Sequence, residues 1–304
     1  MTLKKYYLPI FSLFTTLAIY IFFAFIKNSF LLDNAFIFGI TTFVYLLAAI
    51  FYITGIIFNW NKGLEIGSIT GWTGFYLNVL GFFIRWLQTH EMGFGYVPLS
   101  NLFESLVFFA MCISGIYLFW ELRLKNKAIG AIVFILTSLV MAFASLKADA
   151  SIRPLIPALK SNWLIAHVIT CFLGYGAFAV SFGASIAYLL HNNPKFSKFL
   201  PEKHTLEFFI YKSILFGFVW FTLGIITGAV WADQAWGRYW SWDPKETWSL
   251  ITWLIYGGII HLRLIKGWQG KKLSLLSILG FISVLFTYFG VNFLLSGLHS
   301  YGSL

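Results

Sequence analysis

Apolar residues come in nine runs of helical length, at 8–26, 35–58, 68–87, 101–120, 128–146, 163–190, 207–230, 246–263 and 273–296. A bilayer core about 30 Å thick takes roughly 20 apolar residues per helix, so each run predicts a crossing helix. The expected fold is all-α: a polytopic integral membrane bundle of about nine helices, with almost no length left for a soluble domain. Lys4 and Lys5 precede the first run and no small-residue cleavage site follows it, which predicts a retained first helix. No fixed-period repeat, low-complexity tract or flexible linker interrupts the pattern, and a single membrane domain is the simplest division.

Composition agrees, with 59% hydrophobic and 11% charged residues and a mean hydropathy of +0.81. A net charge of +10 would point to nucleic acid in a soluble protein. Here the basic residues are thinly spread between apolar runs, where they orient a membrane protein, and no nucleic-acid partner is expected. One set of alternate connections holds thirteen of them: Lys4, Lys5, Lys62, Arg123, Lys125, Lys127, Lys195, Lys198, Lys203, Arg263, Lys266, Lys271 and Lys272. The other set holds six: Lys27, Lys147, Arg153, Lys160, Arg238 and Lys245. The N-terminus is therefore expected inside and the C-terminus outside, which brings 88–100, 147–162, 231–245 and the tail 297–304 to the outer face. Cys112 and Cys171 lie inside apolar runs and form neither a CxxC pair nor a zinc pattern, so they read as lipid-buried packing residues.

The outer connection reading WADQAWGRYWSWDPKETW holds Trp231, Trp236, Trp240, Trp242 and Trp248, five of the thirteen tryptophans, together with Tyr239. An aromatic belt at the headgroup level accounts for one or two such residues per helix end. This segment also carries Asp233, Asp243 and Glu246, a Gly237 that would let the backbone approach another group, and a Pro244 placed to start a helix. It is expected to form a flat aromatic surface with polar handles, suited to a planar cofactor, a lipid headgroup or simply the belt.

The run WGRYWSWDPKETW closely resembles the WWD signature of the haem-handling proteins of cytochrome c maturation. GVNFLLSGLHSYGSL and RWLQTHEMGFGYVPLSNLFESLVFF are similar to the CcsA or ResC branch of system II. The resemblance covers 68–304, with the WWD loop at 231–248, and leaves 1–67 as N-terminal membrane helices. It implies an eight-helix family core to which the helix at 8–26 is additional. It further implies haem b as cargo, a CcsB or ResB-like membrane partner and an unfolded apocytochrome c as substrate. It also implies a bacterial plasma membrane or a thylakoid as the location. Together the two subunits would form a holocytochrome c synthase. A haem transporter without ligase activity and a quinone-linked dihaem electron-transfer subunit are the alternatives.

Histidines occur at 90, 167, 191, 204, 261 and 299, and haem iron commonly takes two axial ligands. His167 lies near the outer end of its run and His299 follows the outer end of the last one. By resemblance these two ligate a haem on the WWD segment, with Trp231, Trp236, Gly237, Trp240, Trp242, Asp243 and Trp248 around it. Packed or solvated histidines would occupy the same positions. His261 lies fifteen residues into its run, about 22 Å from the outer end, so it cannot reach that site. The resemblance makes it a ligand of a second haem within the membrane, its partner histidine coming from the other subunit. Arg238 and Lys245 are candidates for the propionates or are solvated loop charges. Asp233, Asp243 and Glu246 are candidate caps for the following helix, Asp243 above all. His191 and His204 sit in a basic inner loop, and His90 lies near Arg85, Trp86 and Glu104 with no assigned role.

Overall fold

The structure is a computed structural model that describes residues 3–29, 32–123, 127–295 and 297, with the side chains of residues 3–5 and 195 left aside. In chain order its helices are α1 Leu3–Ile26, α2 Asn34–Ile57, α3 Asn61–Glu91, α4 Leu102–Glu121, α5 Ile129–Lys147 and α6 Asn162–Leu190. There follow a short α7 at Pro194–Ser197, α8 Lys203–Trp236, α9 Pro244–Lys266 and α10 Gly270–Leu285. The last of these runs through a π turn at Phe286–Gly290 into α11 Val291–Leu294. Among the described residues the chain is helical, with no strand.

Each of the nine apolar runs overlaps one of these long helices, the last of them α10 with its continuation through α11, and the protein is an integral membrane protein. Eight of the helices are long and apolar enough to cross a bilayer. α3 is not among them. It is 31 residues long and buries Ser68, Thr73, Asn78, Arg85 and Thr89. α8 also departs from expectation, because the helix continues six residues past the end of its apolar run, through Trp236. Helix termination follows the backbone rather than the hydropathy. Gly237 takes a left-handed conformation (φ 72°) and caps α8 through its N–H to Asp233 O, so the connection to α9 is only residues 237–243.

Packing divides the chain into two compact units. One comprises Met1–Pro98, Phe103–Ile152 and Phe199–Pro201, and the other Leu99–Leu102, Arg153–Lys198 and Glu202–Leu304. In the first, α3 lies against α2 along a row of three glycines spaced by seven. Cβ atoms at Gly67, Gly74 and Gly81 would lie 3.0, 2.7 and 2.8 Å from the rings of Tyr52, Tyr45 and Phe38, which are also spaced by seven. Small residues that admit large neighbours let helices pack closely where lipid gives no hydrophobic drive. The buried charged groups of this unit are paired. Arg85, 1% exposed, donates to Glu104 Oε1 (2.8 Å), Asn34 Oδ1 (3.0 Å) and the carbonyls of Ala150 (2.9 Å) and Ser151 (3.3 Å). Buried Glu121 accepts from Tyr52 and Ser68 and lies 3.4 Å from Lys127 Nζ. α1 is tied to α3 by hydroxyls: Ser12 donates to Ile69 O at 3.0 Å, and Thr15 bonds Thr73 at 2.7 Å.

In the second unit α6 and α8 meet at glycines. Gly217 sits against Phe178, Gly224 against Cys171 and Gly228 against His167. α9 and α10 complete it through Tyr256 stacked on Phe178 (ring centroids 3.5 Å, 7° between planes), Thr252 bonded to Thr287 at 2.9 Å and Ser181 bonded to Ser277 at 2.7 Å.

Candidate functional site

The candidate site occupies the end of the second unit where α6 and α9 begin and α8 ends. Ser161 caps α6 by accepting from Trp163 N, and its hydroxyl also donates to Gln234 Oε1 of α8 at 2.8 Å. These bonds hold the first turns of α6, and His167 follows within them.

His167 lies on α8 as on a seat. A Cβ at Gly228 would come within 2.5 Å of its Nδ1, so only glycine leaves room for the ring. Nδ1 donates to Gly224 O at 2.8 Å. A carbonyl oxygen only accepts, so Nδ1 carries a proton, and in the neutral ring the lone pair is the one on Nε2. Backbone-held tautomers of this kind orient imidazoles that bind metals. The imidazole also stacks on Trp231, with centroids 5.9 Å apart and 18° between planes. Cys171 is buried one turn below with Sγ 3.6 Å from Nδ1, inside the bundle rather than toward lipid.

The indoles are ordered in depth and are not coplanar, which corrects the expectation of a flat surface. Trp231 is 2% exposed and donates Nε1–H to Ala158 O at 2.9 Å. Trp236 meets it edge-on at 4.9 Å and 61°. Trp240 and Trp242 stand at 89° to each other, 5.9 Å apart, and Trp242 is 68% exposed. Trp242 has a left-handed backbone (φ 60°), a conformation uncommon for a non-glycine residue. A seven-residue connection that must turn, end one helix and cap the next leaves no room for parallel rings. Trp248 is already inside α9, against Phe286 at 4.0 Å, and its carbonyl accepts from Thr287.

Gly237 terminates α8. A Cβ there would meet nothing within 4 Å, so the close approach expected of it is not its role. Asp243 is the N-cap of α9 and Pro244 opens the helix. Asp243 accepts from Lys245 N, and Glu246 closes the capping box by accepting from Asp243 N (3.2 Å) and Ser241 N (2.7 Å). Asp233, in the last turn of α8, does not cap α9. Beyond α11, Gly297 lies against the box: a Cβ there would collide with Asp243 Oδ1 and come within 3.1 Å of Pro244. His299, two residues on, lies outside the described residues.

Two other histidines have surroundings of their own. His261 is on the exposed surface of α9, five residues before its end at Lys266, and is not brought to the Trp231 region. His90 is exposed and takes its Nδ1 to Trp86 O at 2.9 Å, while Arg85 pairs with Glu104 in the interior without it. The glycine seat and the bond to Gly224 join residues about sixty positions apart, and no local pattern announced them. The same holds for Lys245, whose ammonium donates to Asn292 Oδ1 at 3.0 Å.

Chemically, the described part of the site offers one oriented imidazole with aromatic rings beside it. Among the described residues no three His, Cys, Asp or Glu side chains converge as a metal cage would require. A metal carried inside a planar macrocycle needs only axial donors and apolar walls, and this arrangement suits it.

A profile of the Cytochrome C assembly protein family matches residues 99–299. The chain is 38% identical to the cytochrome c biogenesis protein CcsA of Trieres chinensis, over 89% of this chain and 96% of that one. It is 40% identical to the CcsA protein of Chlamydomonas reinhardtii (79% and 69%) and 34% identical to that of Gloeobacter violaceus (90% and 95%). Among solved structures, the cytochrome c haem lyase CcmF shares the fold with a TM-score of 0.68 at 16% identity, over 85% of this chain. This chain spans 47% of the length of that lyase.

Proposed function

The chain belongs to the Cytochrome C assembly protein family, and from that premise we propose that it presents haem at the outer face of the membrane for attachment to apocytochrome c. Its function is cytochrome c biogenesis. The observation that carries the finer reading is the state of His167, its proton committed to Gly224 O and its ring stacked on Trp231 beside the tryptophan connection. That is the electronic form of an axial ligand.

In this reading residues 68–304 are the haem-handling part, the N-terminus is inside and the C-terminus outside, and 231–248 faces the outer compartment. Haem b is bound as cargo. His167 supplies one axial ligand and His299, two residues after Gly297 in the sequence, the other. Trp231 and Trp236 wall the ring on the protein side, and Trp240, Trp242 and Trp248 line its approaches. Asp243 and Gly237 act on the backbone, fixing the connection between α8 and α9. His261, exposed on α9, ligates a haem earlier on its route, its partner histidine coming from a CcsB or ResB-like subunit. The chemistry served is addition of a cysteine S–H across a haem vinyl double bond. The S–C bond forms, the proton moves to the neighbouring vinyl carbon, and no external oxidant is consumed. Both thiols come from the CxxCH segment of the apoprotein. This chain contributes position, holding iron and macrocycle until the apoprotein histidine replaces one axial ligand.

Co-expression with a CcsB-like partner and a CxxCH apocytochrome tests the proposal. Covalent holocytochrome is expected, and the purified chain should show a low-spin, histidine-ligated spectrum. Haem bound without covalent product would identify a transporter instead, and a chain purified without haem would overturn the reading. Gly228→Val gives a finer check, because its side chain must displace the His167 ring. We expect a shift from low-spin to high-spin iron at unchanged protein yield. An unaltered spectrum would show that His167 is not the ligand.

A further inference from the structure

The turn from α9 into α10 reads RLIKGWQGKK, and residues 263–272 hold Arg263, Lys266, Lys271 and Lys272 with no acidic residue among them. Gly267 and Gly270 take left-handed conformations (φ 61° and 58°), so residues 267–269 suffice to turn the chain and lay α10 against α9. Two cations then converge on Trp268, one from each helix. Arg263 donates from Nη1 to the Trp268 carbonyl at 3.3 Å and lies over the Tyr211 ring of α8, 5.2 Å from its centroid. Lys272 Nζ lies over the Trp268 ring at 5.0 Å. The helix dipole favours Arg263 and Lys266 in the last turn of α9 but disfavours Lys271 and Lys272 in the first turn of α10. Among the described residues none of the four forms an ion pair. Glu207, whose Oε1 would lie 3.3 Å from a Cβ at Gly270, is engaged with the Tyr188 hydroxyl.

An apolar track begins where these cations stand. The exposed residues of α10 after Lys272 are Leu275, Leu279 and Ile282, spaced by four and three, so they form one stripe down a single face. From Lys272 to Ile282 is about 15 Å at 1.5 Å per residue, the depth of one leaflet in a hydrocarbon core about 30 Å thick. Cations without a counter-charge, an indole at headgroup level and a stripe one leaflet long together fit a single amphiphile. We propose that this end of the second unit binds an anionic membrane lipid. Its phosphate lies between Arg263 and Lys272 beside Trp268, and an acyl chain runs along Leu275, Leu279 and Ile282. A zwitterionic headgroup brings its own cation, so the uncompensated charge selects for a net negative lipid. By the charge count this is the inner leaflet.

The test places the purified full chain in phosphatidylcholine vesicles with a trace of spin-labelled phosphatidylglycerol or phosphatidylcholine carrying the same acyl chains. Electron paramagnetic resonance then gives the fraction of each that the protein immobilises. The wild type is expected to hold phosphatidylglycerol about tenfold more tightly than phosphatidylcholine. Arg263→Gln and Lys272→Gln should each lower that preference about fivefold, the worth of one basic residue at an anionic surface, with phosphatidylcholine held as before. Lys272→Arg should keep the preference. Lys62→Gln, the same change of charge in the first unit, should leave it unaltered. Glycerol phosphate in the buffer should not displace the lipid, since it lacks the chain that the stripe holds. Equal wild-type affinity for the two lipids would overturn the inference, as would a preference that survives in both Gln variants. So would an equal loss in Lys62→Gln, which would show a diffuse surface charge. Displacement by glycerol phosphate would identify a site for free phosphate esters instead, and displacement by haem would give the cations to its carboxylates; either result would overturn the lipid.

Discussion

His167→Ala is expected to reduce covalent holocytochrome to background, while the protein continues to insert and accumulate. The ring is a tenant of α8 rather than a support for it. Its contacts include a backbone carbonyl of α8, an indole face, the Cys171 thiol and the space above Gly228. Removing it leaves a gap that the glycine beneath cannot fill, so the iron loses a ligand without a collapse that would supply another. Loss of a metal ligand exceeds the roughly 10–100-fold cost of losing an outer-shell partner. The gap also gives the experiment its specificity, because imidazole added to the medium should enter it and restore part of the low-spin spectrum. Normal maturation by the alanine variant would remove His167 from the mechanism, and restoration by imidazole would exclude a general folding defect.

The second large effect concerns the first unit. Arg85→Met should lower the stability of the purified protein by about 3–5 kcal/mol, the range found when one partner of a buried ion pair is removed. Arg85 and Glu104 are each 1% exposed, and the guanidinium also binds Asn34 and the carbonyls of Ala150 and Ser151. The methionine fills the space but leaves Glu104 without its cation. The double variant Arg85→Met/Glu104→Gln should therefore melt above the single one, a non-additivity that identifies the pair rather than the packing as the cause. Equal melting of the single variant and the wild type would show that the charges are satisfied by other groups.

The helices were legible in the sequence because a bilayer demands long apolar runs, and every run corresponds to a helix. Their ends were less so. Hydropathy places the end of the α8 run at 230, whereas the backbone stops at Gly237, and the two differ because a helix can extend beyond the lipid that requires it. The capping box was readable, since Asp243, Pro244 and Glu246 have local roles that depend only on neighbours three residues away. Two features were not. The seat of His167 on Gly228 is a contact between helices, and an isolated glycine in an apolar run carries no record of what lies against it. The row Gly67, Gly74, Gly81 has a period of seven, as does Phe38, Tyr45, Tyr52, but each becomes a signal only when the other is known to face it. The orientation of the tryptophans depends on backbone torsions such as the positive φ of Trp242, which side-chain pattern does not encode.

α3 carries a consequence for synthesis. A helix of about 46 Å with this many hydroxyl, amide and charged groups does not partition into lipid alone. Between residues 66 and 89 only Phe83 and Leu87 are exposed, so what α3 shows to its surroundings once assembled is apolar. Its solvent is the rest of its own unit. The chain emits α1 and α2 first, and their hydroxyls and rings are the ones that meet α3 on two sides. Translation order thus delivers only part of the wrapping before α3 and the partners of its buried charge after it: Arg85 awaits Glu104, Ala150 and Ser151, and Ser68 awaits Glu121, so α3 is expected to settle once α4 and α5 have followed.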